Sequence, residues 1–111
     1  MMYRVVRLHF KARFCKTFLK TFNERSHDIL RFPGCISLKL LQDTSSPSVF
    51  YTLSCWTSEA ALEAYRKSAI FQSSWNTIKP WFSEKASAWS MNSIYENENA
   101  QAKTDENVFN Q

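Results

Sequence analysis

Glycine is nearly missing from this chain: Gly34 is the only one in 111 residues. A glycine-rich phosphate loop or a dinucleotide fingerprint therefore has nothing to be built from, and the common nucleotide-dependent enzyme classes are excluded. Histidine and cysteine are also sparse. His9 and His27 stand at no ligand spacing with Cys15, Cys35 or Cys55. An odd, widely spaced cysteine set is neither a disulfide framework nor a zinc site, so no metal is expected. No run approaches the roughly 20 apolar residues needed to cross a bilayer. The opening stretch Met1-Met2-Tyr3-Arg4-Val5-Val6-Arg7 is charged within its apolar run, unlike a secretory leader. Neither a membrane span nor export is expected, and a reducing cytoplasm is the expected compartment.

What the chain does have is aromatic bulk, with four Trp and nine Phe. That is more than a minimal core requires, so some rings are expected either in an unusually aromatic core or along a pocket or interface. The formal charge is +4 but uneven: the stretch 96–111 holds Glu96, Glu98, Asp105 and Glu106 against Lys103, while eight basic residues fall within the first 31. A basic surface for nucleic acid is one reading of that excess. The charges alternate with apolar positions, as on a solvated helix face, which argues against nucleic acid as a partner.

Periodicity gives the element order. Tyr3 to Phe10 alternates as a strand, with Val6, Leu8 and Phe10 on one face and Val5, Arg7 and His9 on the other. Arg13 to Arg31 carries a helical stripe of Phe14, Phe18, Phe22 and Ile29, widened by Leu19 and Leu30. Pro33-Gly34 stops it. Cys35 to Gln42, with Ile36, Leu38 and Leu40 in phase, and Val49 to Trp56 then form a hairpin around a six-residue polar turn. Thr57 or Ser58 caps a helix reaching about Lys67. Ser68 opens a second short one, with Phe71, Trp75 and Ile78 on one stripe, which Lys79-Pro80 ends. Lys85 to Tyr95 reads as the last strand, with Ala86, Ala88 and Ser90 opposite Ser87, Trp89 and Met91. The expected fold class is α+β, in ferredoxin-like β-α-β-β-α-β order, with one four-stranded antiparallel sheet and helices on one face. The expected domain spans 2–95, followed by a polar tail over 96–111. Strands one to three carry apolar groups on both faces, so a second copy is expected on the open face.

Four segments carry a family resemblance. They are Arg4 to Phe10; Phe32-Pro33-Gly34-Cys35 leading into Leu38 to Asp43; Tyr51 to Ser68; and Lys79-Pro80-Trp81-Phe82 before Ala88-Trp89-Ser90. Within the third, Trp56, Ser58, Glu59, Leu62, Tyr65 and Ser68, followed by Phe71, form the most specific pattern. Over about residues 2–95 the chain resembles the antibiotic biosynthesis monooxygenase domain family. The resemblance implies a dimeric α+β barrel and leaves the chemistry open, since family members share fold more than activity. Some oxidise polycyclic phenols with O₂ and no cofactor, some degrade haem, and others have no known activity.

The haem-degrading branch uses an Asn on the first strand, a Trp ending the third, and a His four residues after the Phe. Trp56 fits. The first strand has no Asn, and Trp75 occupies the His position with an indole that cannot ligate iron. No cofactor is therefore expected. A cofactor-free oxygenase needs a wall for a flat aromatic, a donor or base for its phenol, and a dry site. Trp56, Phe71, Trp75 and Trp81 are the candidate wall. His9 is the candidate base, with Tyr65 and Arg66, and also Tyr51, as hydrogen-bond donors. The competing reading places the aromatics in the core, Trp56 and Trp89 above all, and His9 at a dimer sheet or in solvent. Cys35 and Cys55 read as small buried fillers. A binding or self-association module without catalysis is the alternative function.

Overall fold

A computed structural model describes residues 1–97. Four strands, β1 (Met2–Phe10), β2 (Cys35–Gln42), β3 (Val49–Trp56) and β4 (Phe82–Asn92), form one antiparallel sheet in the order β2-β3-β1-β4. Helix α1 (Cys15–Leu30), preceded by a 3-10 turn over Ala12–Phe14, connects β1 to β2. Helices α2 (Glu59–Arg66) and α3 (Ala69–Ile78), then a 3-10 turn over Lys79–Trp81, connect β3 to β4. The expected α+β, ferredoxin-like order is found, its second helical segment divided in two. Among the described residues no helix is long and apolar enough to cross a membrane. The expected tail lies outside the described residues, apart from Glu96 and Asn97.

The local signals act through identifiable contacts. Ser58, not Thr57, caps α2, its Oγ accepting from Ala61 N at 3.1 Å. Ser68 caps α3 by accepting from Phe71 N at 3.2 Å. At the β2–β3 turn, Asp43 Oδ1 accepts from Ser45 N and Ser46 N at 2.8 and 3.0 Å, the side chain standing in for a backbone turn. Gly34 has φ +91°, and a Cβ there would stand 2.4 Å from Ala61 Cβ. The lone glycine thus lets the chain turn between α1 and β2 while α2 presses against it.

Strand register sorts side chains onto two faces. Met2, Arg4, Val6, Leu8 and Phe10 share the helix-covered face with their β3 partners Trp56, Ser54, Thr52 and Phe50. Two clusters form beneath the helices: Leu8, Phe10, Phe18, Phe50 and Ile78 at one end, and Met2, Trp56 and Leu62 at the other. The opposite face holds Tyr3, Val5, Arg7 and His9, paired with Cys55, Leu53, Tyr51 and Val49 and, from β4, with residues that include Met91 and Trp89.

Several expectations are corrected. Strand β4 begins and ends three residues earlier than its alternation suggested, because Phe82 already pairs with Phe10 across the sheet. Ile36 falls in a register shift between Cys35 and Ser37 and is exposed, so it leaves the phase of Leu38 and Leu40. Leu19 and Leu30 point outward instead of widening the α1 stripe. Trp89, expected in the core, is 48% exposed on the open face beside Met91. Cys55 is buried as expected, whereas Cys35 is half-buried, its thiol pushed up chiefly by burial.

Candidate functional site

The helices do not pack flush on the sheet. Between the two clusters lies a cavity of about 360 Å³, within the range of small-molecule sites. Its floor shows why it stays open. Thr52 and Ser54 from β3 and Ala86 and Ala88 from β4 are small side chains at positions where large ones would meet the helices. Arg4, Val6 and Leu8 of β1 and Leu38 of β2 complete the floor. The roof comes from Phe18, Phe22, Arg25 and Ile29 of α1, Leu62, Tyr65 and Arg66 of α2, and Phe71, Ser74, Trp75 and Ile78 of α3.

Ring contacts run along the wall without a break. Trp56 stacks on Tyr65 with centroids 5.1 Å apart, Tyr65 meets Phe71 edge-on at 5.3 Å, and Phe71 stacks on Trp75 at 5.9 Å. Such pairs prefer offset or edge-to-face geometry, which keeps the wall stiff. Trp56 is 0% exposed, and its Nε1 donates to Ser54 Oγ at 2.9 Å. It is therefore a core residue and a wall residue at once. Burial pushes the Tyr65 phenol up to about 12. At ordinary pH it is a neutral donor, not a base.

Charge in the cavity has one sign. Three arginines line it, and no Asp, Glu or His does among the described residues. Arg25 is engaged by neutral hydroxyls, donating to Ser73 Oγ at 3.0 Å, Ser74 Oγ at 3.3 Å and Thr77 Oγ1 at 3.4 Å, and so ties α1 to α3. Arg66 pairs with Glu63 at 2.9 Å on the exposed side of α2. Arg4 rises from the floor and donates to Ser90 Oγ at 2.8 Å. Its guanidinium sits below its usual range, first because it is desolvated and then because Arg66 is near, with Glu63 partly offsetting this.

The structure brings Trp56, Tyr65, Arg66, Phe71 and Trp75 together around this cavity. It does not bring His9 or Trp81 there. His9 projects from the other face of β1. Its Nδ1 lies 3.3 Å from Glu84 Oε1 but is not aligned as a hydrogen bond, so it is buried without one. Glu84 is held below the usual carboxylate range, first by Arg7 and then by His9. Trp81 stacks on Phe14 at 5.7 Å and packs against the other cluster. Tyr51 is on the open face with His9. Sequence reasoning missed Arg4, although a signal existed: an arginine in phase with Val6, Leu8 and Phe10 is a charge on the buried face of a strand, and such a charge needs a partner or a site.

Comparison with known proteins agrees with the fold. The sequence pattern of the family described as antibiotic biosynthesis monooxygenase matches residues 1–74. No curated protein matches the chain. Among solved structures, an antibiotic biosynthesis monooxygenase-type protein of Nitrosomonas europaea superposes with a TM-score of 0.79 at 18% identity, covering 86% of this chain and 100% of that one. A conserved protein of Methanosarcina mazei Go1 superposes at 0.77 and 18% identity, covering 83% and 92%. A protein of the same monooxygenase type from Deinococcus radiodurans superposes at 0.80 with 12% identity, covering 89% and 98%. At such identities the likeness is one of fold.

Proposed function

Because this chain belongs to the antibiotic biosynthesis monooxygenase family, we propose that it is a cofactor-independent monooxygenase acting on a small, flat aromatic of the phenol or quinol kind. The observation that carries this reading is the cavity itself: an apolar, ring-lined space under the helices with two donors, Tyr65 and Arg66, on its wall. The overall reaction needs no added electrons. A phenol and O₂ give a quinone and water: one oxygen atom forms the new carbonyl, the other leaves as water, and all four electrons come from the substrate. In this reading Trp56, Phe71 and Trp75 hold the ring flat, Tyr65 donates a hydrogen bond to the phenolic oxygen, and Arg66 faces the negative charge that spreads over the ring once the phenol has given its proton to bulk water at the cavity mouth. Excluding water keeps that charge from being reprotonated before O₂ adds.

A second reading, ligand binding without turnover, is favoured by one observation, the lack of a carboxylate or imidazole on the cavity wall among the described residues. O₂ uptake with dihydroxynaphthalenes separates the two. The oxygenase reading expects uptake that is abolished by Ala88→Phe, which fills the cavity from the floor, and sharply reduced by Tyr65→Phe. Binding of the same compounds with no uptake above the buffer rate would leave the binding module standing and refute the oxygenase.

Family membership and the apolar open face, where Trp89 and Met91 are both about half exposed, also support a homodimer with the two sheets facing. Sedimentation of wild type against Trp89→Glu tests this; a monomeric wild type would refute it.

A further inference from the structure

From the charge of the cavity we infer that its ligand is a flat aromatic acid, whose carboxylate is bound by Arg4 with the Arg66 guanidinium alongside. The inference rests on the proposed use of this cavity as the ligand site, and not on any reaction there.

Arg4 is the reason. It stands half-buried on the helix-covered face of β1, in phase with Met2, Val6 and Leu8 and flanked across the sheet by the neutral Ser54 and Ser90. A guanidinium in such a place is ordinarily paired with a carboxylate. Among the described residues no carboxylate lies within ion-pair distance of Arg4, and its hydrogen-bond partner is the neutral Ser90 hydroxyl. The other cation at this end, Arg66, adds like charge. Glu63, the acid whose charge reaches Arg4, is already held at 2.9 Å by Arg66 on the solvent side. Two guanidiniums beside a ring-lined cavity, with no anion on the wall among the described residues, leave a planar two-oxygen anion as the complementary partner. A carboxylate matches the guanidinium fork and cancels the repulsion between the two arginines. A neutral hydrocarbon would bury that repulsion deeper. Arg25, by contrast, spends its donors on three hydroxyls and bridges helices, so it is not part of this anchor.

The class of ligand can be read with two probes of one shape, naphthalene-2-carboxylate and naphthalene-2-carboxamide, titrated against the full chain while following Trp56 and Trp75 fluorescence and confirmed by calorimetry. The acid is expected to bind the wild type at least about tenfold more tightly than the amide, the scale of one charge-assisted hydrogen bond. That preference should fall to near unity in Arg4→Gln, shrink in Arg66→Gln, and be partly kept in Arg4→Lys. The Arg66 variant alters an exposed side chain, so it remains informative if Arg4→Gln does not fold. Equal affinity for the two probes in the wild type would overturn the inference, as would a preference that survives both glutamine substitutions. Failure of both probes to bind at all would overturn it together with the cavity reading, whereas equal binding would leave the monooxygenase proposal intact.

Discussion

Replacing Gly34 by alanine is a strong local test of how this fold holds its site. The position has φ +91°, which an L residue adopts at a cost of about 1–2 kcal/mol. The new methyl would also stand 2.4 Å from Ala61 Cβ and 3.0 Å from Thr57 Oγ1. Forcing a methyl into filled space typically costs a further 1–3 kcal/mol or about that. The expected loss is therefore about 2–5 kcal/mol, opposite in sign to the ~0.4–1 kcal/mol gain of Gly→Ala at an unstrained site. In a domain of this size each kcal/mol lowers Tm by about 4–8 °C. Urea unfolding with a check that the slope is unchanged measures the loss directly. The double substitution Gly34→Ala with Ala61→Gly separates the two causes. It removes the methyl–methyl overlap, leaves the backbone strain, and adds about 1 kcal/mol for glycine in α2. A favourable coupling of about 1–2 kcal/mol is expected between the two positions. The effect should reach the site, because Tyr65 lies one turn beyond Ala61 on the same face of α2. A loss below about 0.5 kcal/mol for the single variant would refute the reasoning on both counts.

Three further outcomes follow from the geometry. His9→Ala should leave any aromatic-dependent O₂ uptake within about twofold of wild type, since the sheet separates His9 from the cavity and general-base loss would typically cost about 10²-fold or more; abolished uptake with an intact fold would overturn that placement. Trp56→Phe should destabilise by about 2–4 kcal/mol in urea, because it empties part of a fully buried site and strands the Ser54 hydroxyl. The Tyr65 phenol is raised from 10.0 to about 12 in the folded chain. The folded state therefore keeps its proton more tightly, so this contribution to stability is whole below pH 10 and is lost as the pH rises towards 12. On the order of 2 kcal/mol is involved, and Tyr65→Phe should flatten that slope in denaturation curves taken between pH 9 and 12.

Much of the fold could be read ahead because its signals are local. Strands β2 and β3 begin and end where alternation and turn residues place them, and the serines at 58 and 68 cap the helices they precede. The errors lie where long-range pairing decides. The limits of β4 depend on Phe82 reaching Phe10. Ile36 is displaced by a register shift that depends on β3. Trp89 looked like core because a large ring in a strand usually is, yet its exposure depends on which sheet face the helices leave bare. The site was half legible. The rings of Trp56, Phe71 and Trp75 fell on one wall because helix and strand phases are readable. Trp81 and His9 did not, because a sequence gives the two faces of an element without saying which one encloses space. The small floor residues Thr52, Ser54, Ala86 and Ala88 were unreadable as a cavity until the strands were ordered.

The sheet order also sets a timetable. Strand β1 lies between β3 and β4, and Met2 pairs with Trp56 on one side and Asn92 on the other. During synthesis β1, β2 and β3 can zip together once Trp56 has emerged. The far edge of β1 then stays unpaired until β4 has been made. In that interval a strand edge is bare and aggregation-prone. The cavity floor still lacks Ala86 and Ala88. A nascent chain should therefore acquire most of its strand pairing well before it can hold any ligand, and a stall soon after the codon for Trp56 would present the cell with a three-stranded sheet that lacks the site and the core contributions of Leu62 and Ile78.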